Sequence, residues 1–171
     1  LFGECEPGGR LPISIPRSAS HLPTRFNHLP HPTPIGPDEH VPSYDPLFEF
    51  GHGLSYTDFE YGPLSVSEDT VPADGTTTVE ISVENVGDRT GSTVVQVYVT
   101  DHAGSRVTPV RELCGFERVS LDAGETETVA IPVDAATLGR VDATGAPQVA
   151  PGEYTLVVEE QSTTVTIEAD D

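Results

Sequence analysis

The stretch VEISVE, residues 79–84, alternates apolar and polar side chains without a break. Successive side chains of a β-strand point to opposite faces, so the valines and the isoleucine would share a buried face and the polar residues a wet one. Turn-forming sequences bound the stretch on both sides, PADG at 72–75 and NVGD at 85–88. This pattern predicts a half-buried strand between two turns.

Similar runs, separated by turn residues, continue in both directions along the chain. With 79–84 included, the sequence predicts seven strands, at 64–66, 79–84, 93–100, 113–121, 128–133, 154–159 and 163–167. Residues 134–140 are predicted to form one helical turn capped by Asp134. Seven short strands in about 110 residues predict an all-β, immunoglobulin-like sandwich. Because the chain has no Trp for the Cys–Trp–Cys signature, the fibronectin type III branch is the better description.

Residues 1–61 have a different composition. Ten of the sixteen prolines fall between Pro7 and Pro46. Proline fixes φ and removes a hydrogen-bond donor, so this stretch is neither helix nor central sheet. The sequence predicts an extended, irregular arm with one short strand at 11–15. Apolar residues at loose spacing indicate that the arm lies on a surface.

The charge of the chain excludes several classes of partner. It carries 28 acidic residues against eight cations, all of them arginine, for a formal net charge of −20. Such a field repels phosphate backbones and anionic lipid, so neither nucleic acid nor a membrane surface is an expected partner. Two interpretations of the acidity are adaptation to high salt and ordinary solubilising charge. We favour the first, because salt screens the repulsion among the chain's own negative charges.

The two cysteines and the first residues carry little information about compartment. Cys5 and Cys114 are predicted to be separate thiols, because two cysteines make no disulfide framework. The opening Leu1-Phe2-Gly3 lacks the basic and apolar regions of a signal peptide. The localisation is therefore left open.

Candidate reactive side chains fall mostly in the arm. They are a metal site at His28, His31 and His40; nucleophiles at Ser18, Ser20, Ser43 and Ser55; a phosphate-loop fragment at 51–53; and the carboxylate pairs Glu4 with Glu6, Asp38 with Glu39, and Glu159 with Glu160. No serine stands in a Gly-x-Ser-x-Gly turn, no thiolate stands at zinc spacing, and no lysine is present to hold a phosphate. An acid-rich surface gives no reason for one carboxyl of a pair to be desolvated. We therefore predict no catalytic, cofactor-binding or metal-binding residue and no cofactor.

The strongest local pattern is the junction at 46–61, which places five aromatic residues around two glycines. Glycines permit close backbone approach, and aromatic side chains anchor a segment by burying large areas. The residues alone favour an anchored hinge between domains over an aromatic wall that binds sugar.

Several blocks in a fixed order carry a family resemblance. They are PGGRLP at 7–12 and PR at 16–17, FGHGLSYTDF at 50–59, QVYV at 96–99, RELCGFERVSL at 111–121 with GE at 124–125, and PGEYTLVV at 151–158. The chain resembles the C-terminal region of glycoside hydrolase family 3, the β-glucosidase and β-xylosidase family. The resemblance implies that 1–61 is the end of an α/β sandwich domain with its connecting arm, and that 62–171 is a fibronectin type III-like domain.

The resemblance also implies a structural role beside the catalytic domains of a glycosidase. The family cuts terminal β-linked sugars with an Asp nucleophile and a Glu acid/base, which lie in earlier domains. No catalytic residue is therefore transferred to this sequence. Two positions depart from the family: Cys114 stands where Lys is common, and His52 where Tyr is frequent, so a sugar contact at position 52 is not implied.

Two alternatives remain at the level of sequence. One is a free-standing module that binds carbohydrate or protein, in which the arm would be docked. The other is a truncated gene product without function.

Overall fold

The computed structural model of the chain describes residues 3–30, 45–101, 107–141 and 144–169. Nearly all regular structure in them is β. The strands are β1 (Phe59–Val66), β2 (Thr70–Val71), β3 (Thr76–Asn85), β4 (Gly91–Asp101), β5 (Glu112–Leu121), β6 (Thr126–Asp134), β7 (Arg140–Val141), β8 (Pro147–Gln148), β9 (Gly152–Val158) and β10 (Gln161–Ile167). Single 3-10 turns lie at Ala19–His21 and Ala135–Leu138. No helix in the described ranges has the length and apolar character to cross a bilayer.

Two sheets face each other across one core. The first has the order β1-β3-β6 and the second the order β2-β10-β9-β4-β5, while β7 and β8 form a small hairpin. All neighbouring strands are antiparallel except β2 and β10. The predicted all-β sandwich is confirmed.

Alternation selects the side chains that fill this core. Val79, Ile81 and Val83 of β3 are almost completely buried, as the VEISVE pattern predicts. They share the core with residues of the opposite sheet such as Val97 and Leu156. The predicted turns are also present: Gly75 N–H donates to Pro72 O at 2.9 Å, and residues 122–125 turn between β5 and β6.

One local prediction is wrong, and a second is confirmed only in part. Residues 11–15 form no strand; the arm has isolated bridges from Arg10 to Gly53 and from Ile15 to Phe48 instead. Beyond β6 the predicted helical turn is present as a 3-10 turn at Ala135–Leu138, with Asp134 at its N-cap position. The side chain of Asp134 does not cap it, because its Oδ1 accepts a hydrogen bond from Thr76 Oγ1 on the neighbouring strand at 2.6 Å.

Candidate functional site

The arm, meaning the described residues 3–30 and 45–58, packs on the outer face of the five-stranded sheet. Phe50 stacks on Phe26 with ring centroids 4.1 Å apart, and both meet Tyr98 of β4 edge-on at 6.5 and 6.3 Å. Tyr98 is consequently only 9% exposed. Strand β4 is thus covered on both faces, by the core and by the arm.

Two segments of the arm hold each other before they reach the sheet. Leu11 N–H donates to His52 O, and Gly51 N–H donates to Leu11 O, both at 2.8 Å. Ile15 N–H likewise donates to Phe48 O at 2.8 Å. This pairing satisfies the polar backbone of a segment rich in proline and gives the arm a defined shape.

Two arginines fasten the arm to the sandwich. The Arg10 guanidinium donates to Gly51 O at 3.2 Å and to Thr93 Oγ1 of β4 at 2.9 Å. Arg111 pairs with Glu49 at 2.7 Å, and its guanidinium carbon lies 5.3 Å from the centre of the Tyr98 ring. Charge-assisted and cation–π contacts of this kind are stronger when partly buried than at a fully exposed surface.

A completely buried polar side chain, Asn85 at the end of β3, ties the junction to both sheets. Its Oδ1 accepts from Thr57 Oγ1 at 2.6 Å and from Gly87 N–H at 3.2 Å. Its Nδ2 donates to the carbonyls of Arg89 and Leu121 at 2.7 and 3.0 Å. All of its hydrogen-bonding capacity on the amide is thereby used inside the protein.

A polar cleft of about 350 Å³ lies between the arm and the outer face of the five-stranded sheet. It is lined by Arg10, Glu49, Phe50, Gly51, His52, Gln96, Tyr98, Thr100, Arg111, Val157 and Glu159. Burial raises the pKa of Tyr98, and the charges of Arg111 and Arg10 oppose that shift. Burial likewise raises the pKa of Tyr61, which hydrogen-bonds Thr93 beside Arg10.

The other side of the arm is apolar and open. A groove of about 550 Å³ there is lined largely by Pro7, Leu11, Ile15, Phe48 and Leu54. The Leu54 side chain is 74% exposed, and Ile13 and Leu47 beside this segment are also exposed.

The structure does not assemble the sequence-predicted candidates into a reactive site. His31, His40, Ser43, Asp38 and Glu39 lie outside the described residues. Within the described ranges, no group of three or more His, Cys, Asp or Glu side chains is placed to hold a metal ion. Among the other candidates, His28 bonds the adjacent carbonyl, Ser18 bonds Ser20, and Glu159 with Glu160 forms the β9–β10 turn. The Ser55 hydroxyl and the Tyr56 N–H donate to the Glu6 carboxylate, about 50 positions away in the arm.

The junction aromatics serve mainly as anchors, which supports the hinge interpretation. Phe50 packs against Tyr98, and Phe59 and Tyr61 pack against the core. Phe48 and Tyr56 remain more than 40% exposed.

The cysteines are separate thiols, as expected. Cys114 donates to Val97 O at 3.3 Å, and burial raises the pKa of its thiol to about 12.

The comparisons agree with the sequence resemblance. Residues 93–169 match the fibronectin type III-like domain. A periplasmic β-glucosidase of Salmonella typhimurium is 40% identical over 142 residues, covering 78% of this chain and 19% of the relative. A β-xylosidase of Formosa agariphila is 37% identical, covering 92% of this chain and 22% of the relative.

Solved structures extend the match to nearly the whole chain. A β-glucosidase from Erythrobacter marinus superposes with a TM-score of 0.87 at 34% identity, over 98% of this chain and 22% of that one. A β-glucosidase from Listeria innocua in complex with glucose gives 0.83 at 28% identity, over 96% and 25%. The chain thus spans about a fifth of the length of its curated relatives. The chain belongs to glycoside hydrolase family 3, the family of these β-glucosidases and β-xylosidases, and matches the region of them that contains the fibronectin type III-like domain.

Proposed function

We propose that this region braces the catalytic domains of a β-glucosidase-like enzyme that hydrolyses terminal β-linked sugars. The observation that carries the proposal is the two-sided arm: one side is fastened to β4, and the other exposes the apolar groove around Leu54. An apolar surface of this kind is typical of a contact with further protein.

We also propose that residues 1–61 belong with the preceding α/β sandwich domain and 62–171 with the fibronectin type III-like domain, although pairing of β1 begins at Phe59.

The bracing role predicts the effect of charging the groove. In the full-length parent enzyme, Leu54→Asp should lower the melting temperature of the catalytic domains by several degrees, because it places a carboxylate in an apolar contact. Val107→Asp is the matched control, since Val107 is 73% exposed, compared with 74% for Leu54, and does not line the groove. Equal melting temperatures for the two variants in calorimetry would refute the bracing role.

The same proposal predicts that the 171-residue chain alone does not hydrolyse an aryl β-glucoside. The expected rate for the rigorously purified chain is the uncatalysed rate, because the nucleophile and the acid/base belong to earlier domains of the family. Release of the aryl alcohol would be followed by absorbance, with a complete β-glucosidase as positive control. Hydrolysis that persists after repeated purification of the chain would contradict the absence of catalytic residues.

A free-standing module that binds carbohydrate or protein is the second candidate, and the docked arm favours it. The length of the native protein separates the two candidates. An antibody to residues 62–171 should detect a band several times larger than 18.2 kDa in the source organism if the enzyme proposal is right. A band at 18.2 kDa would support the module.

We further propose that the acidic surface is an adaptation to high salt. Glu60 and Glu84 stand directly opposite each other on β1 and β3, both exposed, and like charges in this position destabilise a sheet. Molar KCl should therefore raise the melting temperature above its value in dilute buffer, and Glu84→Gln should reduce the difference. Glu153→Gln, opposite Thr166, is the control that should leave it unchanged. Equal melting temperatures in molar KCl and in dilute buffer would refute the adaptation.

A further inference from the structure

We propose that the polar cleft binds a neutral, polyhydroxylated small molecule of about the size of a monosaccharide. Its volume of about 350 Å³ lies in the lower part of the range for small-molecule sites, about 300–1,000 Å³. The cleft is lined by described residues of the arm, β4 and β9, by Arg111 just before β5 and by Glu159 just after β9, and its occupation does not depend on the proposed function.

The charges around the cleft balance, which favours a neutral ligand. Arg10 and Arg111 stand against Glu49 and Glu159 in a chain whose formal net charge is −20. Two of the chain's eight cations are thus placed at this one site. A site for an anion or a cation would carry an excess of the opposite charge.

The lining also presents unused donors and acceptors. Gln96 Oε1 accepts from Tyr98 Oη at 3.2 Å, and the Gln96 amide nitrogen has no partner among the described residues. The Glu159 carboxylate forms no ion pair there either, although its charge acts on Tyr61 and Tyr98 together with that of Arg10. Hydroxyl groups, which both donate and accept, are suited to bridge an amide donor and a carboxylate acceptor on different walls.

The same geometry disfavours other ligand classes. One face of the Phe50 ring is stacked on Phe26, and Arg111 lies over the Tyr98 ring, which reduces the aromatic surface offered to a planar apolar ligand. Both terminal nitrogens of Arg10 already donate to protein oxygens. Each of these nitrogens keeps one further N–H, so a ligand hydroxyl can accept from Arg10 without breaking either bond.

The test is a titration of the ¹⁵N-labelled 171-residue chain with glucose, xylose and glycerol, followed by NMR. We expect the Gln96 side-chain amide and the Gly51 amide to shift on addition of at least one of these compounds, with a dissociation constant of about 1–10 mM. Glu159→Gln should weaken binding about fivefold or more, since it removes a charged acceptor. Glu159 lies in an exposed turn, so this variant should keep the fold.

The controls identify the site and the ligand class. Glu160→Gln changes the neighbouring exposed carboxylate, which does not line the cleft, and should bind as the unmodified chain does. Glycine, as a zwitterion, should cause no shift of the Gln96 amide. The proposal is overturned if no polyol shifts that amide, if the two glutamine variants bind equally, or if glycine binds more tightly.

Discussion

Asn85→Ala should lower the free energy of unfolding of the 171-residue chain by about 3 kcal/mol. The substitution removes four hydrogen bonds from a side chain with no solvent exposure. It leaves the Thr57 hydroxyl and the carbonyl of Leu121 without their partner in a place that water does not reach. Urea denaturation followed by circular dichroism measures the change.

Two further variants show whether the amide geometry causes the loss. Asn85→Asp should also destabilise, because it replaces the donor to the Arg89 and Leu121 carbonyls with an acceptor. Asn27→Ala, at an exposed position of the arm, should change the free energy by less than about 0.5 kcal/mol. If Asn85→Ala were as mild as Asn27→Ala, the buried network would not hold the junction.

Above pH 9, the chain should lose stability steeply, and Cys114 should account for much of the loss. Burial holds the pKa of this thiol near 12 in the folded state, whereas an unfolded cysteine releases its proton at about 8.5. Between these values the folded state binds more protons, so the free energy of unfolding falls as pH rises, by up to about 1 kcal/mol per pH unit from this group. Burial also raises the pKa values of Tyr61, Tyr98 and Tyr154, which adds to the fall at higher pH.

The matched pair of cysteine variants isolates this contribution. Cys114→Ala removes the titrating group. It should reduce the slope of the free energy of unfolding against pH, between pH 9 and 11, by about 1 kcal/mol per pH unit. Cys5→Ala, at an exposed thiol, should leave the dependence as it is. Urea denaturation at several pH values gives both slopes, and identical slopes for the two variants would contradict the assignment.

The sequence predicts the sandwich well because its strands carry their own alternation. All seven predicted strands are present, since each places apolar side chains on the core face at a spacing of two. The wrong strand at 11–15 has a different origin. The hydrogen bonds of this segment go to residues 47–52, and the pairing is limited to isolated bridges, which no local sequence pattern predicts.

The contacts between the arm and the outer face of the five-stranded sheet are harder to predict from the sequence. The turn residues at 85–88 predict a turn at Asn85, yet Asn85 continues the buried positions 79, 81 and 83 of β3, which indicates an inward-facing polar group that needs partners. On β4, Val94 and Tyr98 on the outer face indicate that this face is covered. The identity of the cover, and the roles of Arg10 and Gln96, depend on contacts between residues more than 40 positions apart.

Because of the double covering of β4, the arm, although we propose that it belongs with the preceding domain, should be inherited together with the sandwich. Recombination that joined a foreign arm to residues 62–171 would leave Tyr98 facing rings that had not co-adapted to it, and Arg111 without Glu49. The crossover tolerated by the protein should lie upstream of the arm. Chimeric enzymes that inherit the arm together with the sandwich should therefore fold more often than those divided at the junction.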